Sequence, residues 1–323
     1  MVVSYKYVII GAGITGAYLA KRLSSCSKVA CIEKARGPGG RISARRLDTG
    51  SYCPLGAVEG LNLEHTAGES PLMQTNLSPH SLIWKNTPDP PSYRTYKNPL
   101  PFPPQNICHT WLADSSCYYG HAITHITHST QGWQLYNHDK LVCYADWVIT
   151  TTPPEQALQI LPDTCSYASK LHLVRFTPTV SMVLGLLEQP THRFWAALSA
   201  HKSSLYAVNT YPSSPEDPLT YVTAHASSAW SRKMLDQTDA SIYKQISSLL
   251  LRCGWDKDNL HTDPFYHVHR WRFAHCTAPL NLPFLADHTL KLASAGDWCL
   301  GSNLNTAIHS AYQLAQHLLH HPN

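Results

Sequence analysis

Three glycines open the chemistry of this chain. "GAGITG" (11–16) stands directly after a short β-rich run, "YKYVII" (5–10), and directly before a helical run that ends near Ser25. In that setting Gly11 permits a tight turn, Gly13 lets a pyrophosphate approach the backbone, and Gly16 lets helix and strand pack closely. Ile14 and Thr15 lie between them, where a helix start offers free amides to an anion. Glu33 closes the next strand, "KVACIE" (28–33), seventeen residues beyond Gly16. A carboxylate there accepts the ribose hydroxyls of an adenosine. The pattern predicts a dinucleotide site on an opening βαβ unit.

A second cradle follows at once. Residues 33–46 read "EKARGPGGRISARR", which places three glycines, a proline and five basic side chains in a chain only 14% charged. Glu33, Lys34, Gly39, Gly40 and Arg41 are candidate cofactor residues. The loop's charge complements a diphosphate and its glycines allow close approach. A nicotinamide dehydrogenase has no usual need for a second cradle, so the loop favours FAD. Far along the chain, "ASAGDW" (293–298) reads as a strand and a turn before a helix. Gly296 and Asp297 are placed to receive a ribityl hydroxyl. The helix start at Asn305, Thr306 and Ala307 offers amides and a positive dipole end to the pyrimidine edge of a flavin. Cys299 reads as a packing residue, so the FAD is expected to be non-covalent.

The elements that must position these residues alternate between regular and broken. Segment 50–106 is rich in proline and polar residues, and "NTPDPPSY" and "NPLPFPP" within it break helices and strands. Residues 118–150 read as a three-stranded meander, and "TPPEQALQIL" begins a helix at its prolines. Further strands are expected at 178–188, 204–210, 219–226 and 265–274. An amphipathic helix is expected over 239–254, with Gly254 as its stop, and a closing helix over 305–321. The fold class is α/β: a Rossmann-type FAD-binding domain, interleaved with an α+β substrate domain on a mixed or antiparallel sheet. The expected boundaries are 1–52, 105–165 and 275–323 for the first, 53–104 and 166–274 for the second.

Composition bounds the function. The net charge of +4 over 323 residues points away from nucleic acid. No run is long and apolar enough to cross a bilayer. Ten cysteines without a Cys-x-x-Cys pair read as reduced thiols of a cytoplasmic protein. His121, His125 and His128 have spacings of four and three. In an alternating strand His121 and His125 share a face and His128 does not, so no metal site is expected.

"EKARGPGGRISARR", "HRWRFA" (269–274), "AGDWCLGSNLNTAIHSA" (295–311) and "HASSAWSRKML" (225–235) together resemble the renalase-like branch of the FAD-dependent amine oxidase superfamily. The likeness covers roughly 1–50 and 219–323. It implies two domains with FAD between them, and oxidation of misreduced dihydronicotinamide isomers. A hydride passes to flavin N5 and electrons pass to oxygen, giving hydrogen peroxide. A small-molecule donor and oxygen are then the partners. His269, Trp271 and Arg272 are candidates for the donor cavity. The sequence departs from the family at "DTGSYCP" (48–54), where members usually carry a run like Asp-His-Gly-Ala-Gln-Tyr-Phe. The flavin site therefore carries over better than the donor site. An amine oxidase, a desaturase, a nicotinamide dehydrogenase and a non-catalytic flavin-binding redox sensor are the alternative readings.

Overall fold

The computed structural model describes residues 2–47, 50, 52–56, 80–83, 92–95, 103–186, 197–198, 204–211, 219–252 and 265–321. The chain opens with β1 (Ser4–Ile10), α1 (Ile14–Ser24), β2 (Val29–Glu33), β3 (Ala44–Arg46) and β4 (Tyr52–Pro54). Two short strands, β5 (His80–Ile83) and β6 (Ser92–Thr95), precede α2 (Asn106–Trp111). Then come β7 (Ser116–Tyr119), β8 (His125–Ser129), β9 (Gly132–Asn137), β10 (Lys140–Thr150) and two one-turn helices, α3 (Pro154–Ala157) and α4 (Ala168–Leu171). β11 (Arg175–Leu186), β12 (Ala197–Leu198), β13 (Leu205–Tyr211) and β14 (Thr220–Ala226) lead to α5 (Ser228–Met234) and α6 (Asp239–Arg252). β15 (Tyr266–Ala278), β16 (Leu285–Asp287), β17 (Leu292–Ser294) and α7 (Leu304–His320) come last.

The first sheet runs β16-β17-β10-β1-β2-β7, with β9 and β8 attached beyond β10. β1 lies parallel between β10 and β2, and β17 and β7 extend the parallel run on either side. A parallel sheet must be covered on both faces, which is why β1 reads as a nearly continuous apolar run. Tyr7 and Ile9 pack on Leu19 and Leu23 of α1, Trp111 of α2, and Leu314 and Leu318 of α7. Val8 and Ile10 face the other way, toward Trp133, Leu161, Tyr167 and Leu171.

Residues 118–150 are not a simple meander. β7 joins β2 in parallel, with Cys31 opposite Cys117. Gly120, at φ +73°, then turns the chain away toward β8. Alternation shows that a strand forms but not which edge it joins. His121 lies in that connection and its Nδ1 is 2.8 Å from the Tyr119 carbonyl. His125 stacks on Tyr136, and His128 meets Trp133 edge-on. Among the described residues no three His, Cys, Asp or Glu side chains are grouped to hold a metal ion. No described helix is long and apolar enough to cross a membrane. The nine described cysteines are free thiols. Cys253, Gly254 and most of segment 50–106 lie outside the described residues.

The second sheet runs β15-β11-β14-β13-β12-β5-β6. It is antiparallel except where β12 meets β5. Its two faces differ sharply. Val180, Met182 and Leu184 of β11, with Val222 and Ala224 of β14, pack on Met234 of α5 and on Ile242, Ile246 and Leu250 of α6. The last three are spaced by four, one stripe of a helix. The opposite face carries Thr179, Ser181 and Val183, paired in register with Trp271, His269 and His267 of β15. Ser181 and Val183 also pair with His225 and Thr223 of β14. Pro178 falls at the register shift between Thr177 and Thr179, where a residue without an N–H costs the ladder least. The fold is thus mixed α/β, a Rossmann-type sheet joined to a largely antiparallel one.

Candidate functional site

The glycine turn is built for an anion. Gly13 caps α1 with no side-chain bond, and the first turn of α1 holds no acidic residue. The leading amides of the helix are therefore left for a ligand. A Cβ on Gly13 would meet nothing within 4 Å, so the space above it is open. Gly16 is required for the opposite reason: a Cβ there would stand 2.0 Å from the Gly11 carbonyl oxygen. The buried Thr152 hydroxyl beside this turn has no hydrogen-bond partner among the described residues, and its methyl lies 3.5 Å from where a Gly11 Cβ would be. Glu33 is held at the end of β2 by two amides. The Ala12 N–H donates to Oε2 at 2.9 Å and the Ala35 N–H to Oε1 at 2.8 Å. The carboxylate is fixed at the rim of the turn and keeps lone pairs for further donors.

The second loop is laced to the first. The Gly39 N–H donates to the Ala12 carbonyl at 2.9 Å, and Gly13 and Gly39 form a parallel bridge. Gly39 has φ +126°, and a Cβ there would lie 2.7 Å from Cβ of Gln105. Gln105 is buried and accepts the Ala44 N–H at 2.9 Å. It braces the loop from the start of α2, and nothing in the spacing of residue 105 announced this. Ile14 and Thr15 sit buried at the helix start. Lys34 is turned aside: its Nζ donates to Gln156 Oε1 at 3.3 Å.

Arg41 leaves this loop and reaches the far motif. Its guanidinium forms a two-pronged ion pair with Asp297, one prong at 2.8 Å, and donates to the Ala274 carbonyl of β15 at 3.0 Å. Its carbon lies 5.8 Å from the Phe176 ring centre. Asp297 is almost fully buried. One side chain thus joins the second glycine loop, the second sheet and the 3-10 turn Asp297–Cys299. The carboxylate expected to receive a ribityl hydroxyl is already engaged on one side. Burial pushes the Cys299 thiol up to about 12, which keeps it protonated and inert.

The start of α7 also differs from expectation. Asn303 caps it with a reciprocal box: the Thr306 N–H donates to Asn303 Oδ1, and the Asn303 N–H donates to Thr306 Oγ1. The Ala307 N–H donates to the Asn303 carbonyl. Two of the amides assigned to a ligand from sequence are therefore taken by the helix's own cap. The positive end of the helix remains.

The candidate donor residues lie on the face of the second sheet turned away from α5 and α6, where Trp271 packs against an apolar cluster of Cys53, Leu55, Val183 and Tyr221. Thr223 Oγ1 donates to the Pro54 carbonyl at 2.8 Å, and Trp271 Nε1 donates to the Leu55 carbonyl at 3.0 Å, so the β4 strand lies over this face. Trp271 Nε1 also reaches Ser181 Oγ at 3.1 Å, and that oxygen is 2.8 Å from Nδ1 of the buried His225. Burial, and then the neighbouring His275, lower His225 to about 3. His269 lies 4.0 Å from Trp271, centre to centre, and is lowered to about 4 by burial and by His267 and Arg270. His267 and His275 are lowered as well, mainly by burial and then by Arg45 and Arg41 respectively. The wall is a row of neutral imidazoles at pH 7. Of the three expected residues, His269 and Trp271 come together. Arg272 is exposed and is not brought into that group. Ser181, Thr179 and His225 were missed, although the alternation of small polar residues in "FTPTVSMVLGL" was visible.

Residues 9–68 match the family model described as an NAD(P)-binding Rossmann-like domain. The whole chain is similar in fold to several solved enzymes. A putative protoporphyrinogen oxidase from Exiguobacterium is 13% identical, with 98% of each chain covered and a TM-score of 0.65. Cyclohexylamine oxidase from Brevibacterium oxydans is 14% identical, covering 98% of this chain and 99% of that one, with a TM-score of 0.69. A reduced UDP-galactopyranose mutase is 12% identical, covering 98% and 94%, with a TM-score of 0.69. At such identities the likeness is one of fold, and it extends over both sheets.

Proposed function

We propose that this chain is an FAD-dependent oxidoreductase that oxidises a dihydronicotinamide-type donor and passes the electrons to oxygen. The observation that carries the reading is the lacing of two glycine loops at the uncapped start of α1. A single dinucleotide turn needs one such loop. The second brings Gly39, Gly40 and Arg41 to the same place and ties them to Asp297. The shared fold of two named oxidases supports the reaction class.

FAD when bound supplies a two-electron acceptor. The residues of the chain then have separable tasks. Gly13 and the leading amides of α1 receive the pyrophosphate, and Glu33 receives the adenosine ribose. Arg41 and Asp297 border the ribityl side. The face of the second sheet turned away from α5 and α6 orients the donor. Loss of a hydride from a dihydropyridine gives an aromatic pyridinium, so no general base is needed and orientation dominates. In balance, the donor's hydride, one proton and oxygen give the oxidised donor and hydrogen peroxide.

The test begins with the visible spectrum of the purified protein. Borohydride-generated dihydronicotinamide isomers are then added without oxygen. Flavin bands that bleach faster with the minor isomers than with ordinary NADH are the expected result. Bands that stay oxidised rule out this donor, and a protein that cannot take up FAD rules out the whole assignment.

A further inference from the structure

The last turns of α7 meet the connection between β16 and β17 through two imidazoles. His317 of α7 and His288 of that connection bring their Nε2 atoms to 2.7 Å across 29 positions. Two nitrogens this close cannot both carry a proton, so one donates and the other presents a lone pair. Packing sets both rings. His288 stands edge-on to the buried Trp147 of β10, with ring centres 5.4 Å apart. His317 lies against Phe284, with ring centres 4.9 Å apart. His288 is exposed and His317 half-buried, so an ion in solution can reach the pair.

The donor set has a definite chemistry. Neutral imidazoles suit zinc, copper or nickel, whereas calcium and magnesium take oxygen ligands. Zinc binds an imidazole nitrogen at about 2.0–2.1 Å, which puts two tetrahedral ligands roughly 3.3 Å apart. The two Nε2 atoms therefore need to separate only slightly to admit an ion. Asp287 precedes His288, but its carboxylate is taken by the Ser166 and Leu290 amides. His321 lies beyond His317, with ring centres 5.2 Å apart. Among the described residues no three ligating side chains are gathered, so water fills the remaining positions.

We propose that His288 and His317 are the two protein ligands of a zinc-type metal site that staples the end of α7 to the connection between β16 and β17. The ends of α7 show why a staple is useful there. Its start is closed by the Asn303–Thr306 box. Its end stops at His321 with φ −127°, without the left-handed residue that often closes a helix. His317 lies thirteen residues beyond Leu304, roughly 20 Å along the helix at 1.5 Å per residue. The role is therefore structural, and it holds whichever donor the flavin takes.

The experiment uses the holoprotein, stripped with EDTA and desalted. Cys26 is an exposed thiol, so Cys26→Ser serves as the parent. Calorimetric titration with zinc chloride should show saturable binding of about one ion per chain. His288→Ala and His317→Ala should each weaken it at least tenfold. His320→Ala should stay within twofold, because that ring bonds Gln316 instead. Zinc should also slow amide exchange over residues 311–321 at least threefold in the parent and leave it unchanged in His288→Ala. His288 is exposed, so its replacement leaves the fold intact. Absence of saturable binding overturns the proposal. So does binding that survives His288→Ala, which would place the ion on the helix end alone, or bound zinc that leaves the exchange unchanged. A flavin that dihydropyridines fail to reduce would remove the proposed reaction and leave this binding pattern standing.

Discussion

The cofactor cradle and the donor wall are made of different material. The cradle is backbone: amides at the start of α1, a bridge between Gly13 and Gly39, and close approaches that admit no Cβ. The wall is side chain: Ser181, His225, His269 and Trp271, drawn from three strands and joined by hydrogen bonds and ring contacts. A site made of backbone tolerates little change in shape. A site made of side chains can be rewritten one residue at a time while its sheet stays intact.

The sharpest way to break this contrast is at Gly16. Gly16→Val places carbon into the Gly11 carbonyl and should cost more than about 3 kcal/mol, as severe overpacking does. Flavin content per chain and the unfolding midpoint should both collapse. A variant that keeps its flavin and its midpoint would show that the cradle is not rigid.

The wall should reveal itself by acid sensitivity. His225 is held neutral in the folded protein down to about pH 3, whereas an unfolded histidine titrates near 6.5. Its contribution to stability is therefore complete above about pH 6.5 and is lost as pH falls toward 3. The slope from this one group approaches about 1.4 kcal/mol per pH unit. Denaturant unfolding from pH 7 to 4 should show the decline, and His225→Gln should flatten it by about one proton's worth. An unchanged slope would place the titration elsewhere.

Between the two regions lies Arg41. Asp297→Asn keeps the shape but removes the charge, and should cost about 2 kcal/mol, in the range of a lost charged hydrogen bond. It should also weaken FAD retention, read by equilibrium dialysis. The smallest effect belongs to Arg272. Arg272→Ala is expected within about 0.5 kcal/mol of wild type and without change in flavin reduction. A large loss there would extend the wall to the exposed side of β15.

The same contrast explains what the sequence revealed. Gly11, Gly13, Gly16, Glu33 and the double-glycine loop are local patterns, each readable within seventeen residues of its neighbour. Alternation and helical period also found β11, β15, α6 and α7 close to their positions. What escaped was pairing at a distance. Gln105 braces Ala44 across sixty-one positions, and Ser181 meets His225 across forty-four. Such pairs are fixed by strand order and register, which no local period encodes. The cap of α7 was missed for another reason. The helix start expected to offer amides at Asn305, Thr306 and Ala307 begins earlier, and Asn303 and Thr306 satisfy each other first.

The tie between Arg41 and Asp297 spans 256 positions. At ribosomal rates of about 5–20 residues per second, Arg41 is made roughly 10 to 50 seconds before the carboxylate it holds. Through that interval the glycine loops exist without β17, the turn after it or α7 to close against. The closure of the glycine loops against the end of the chain is therefore an event late in synthesis.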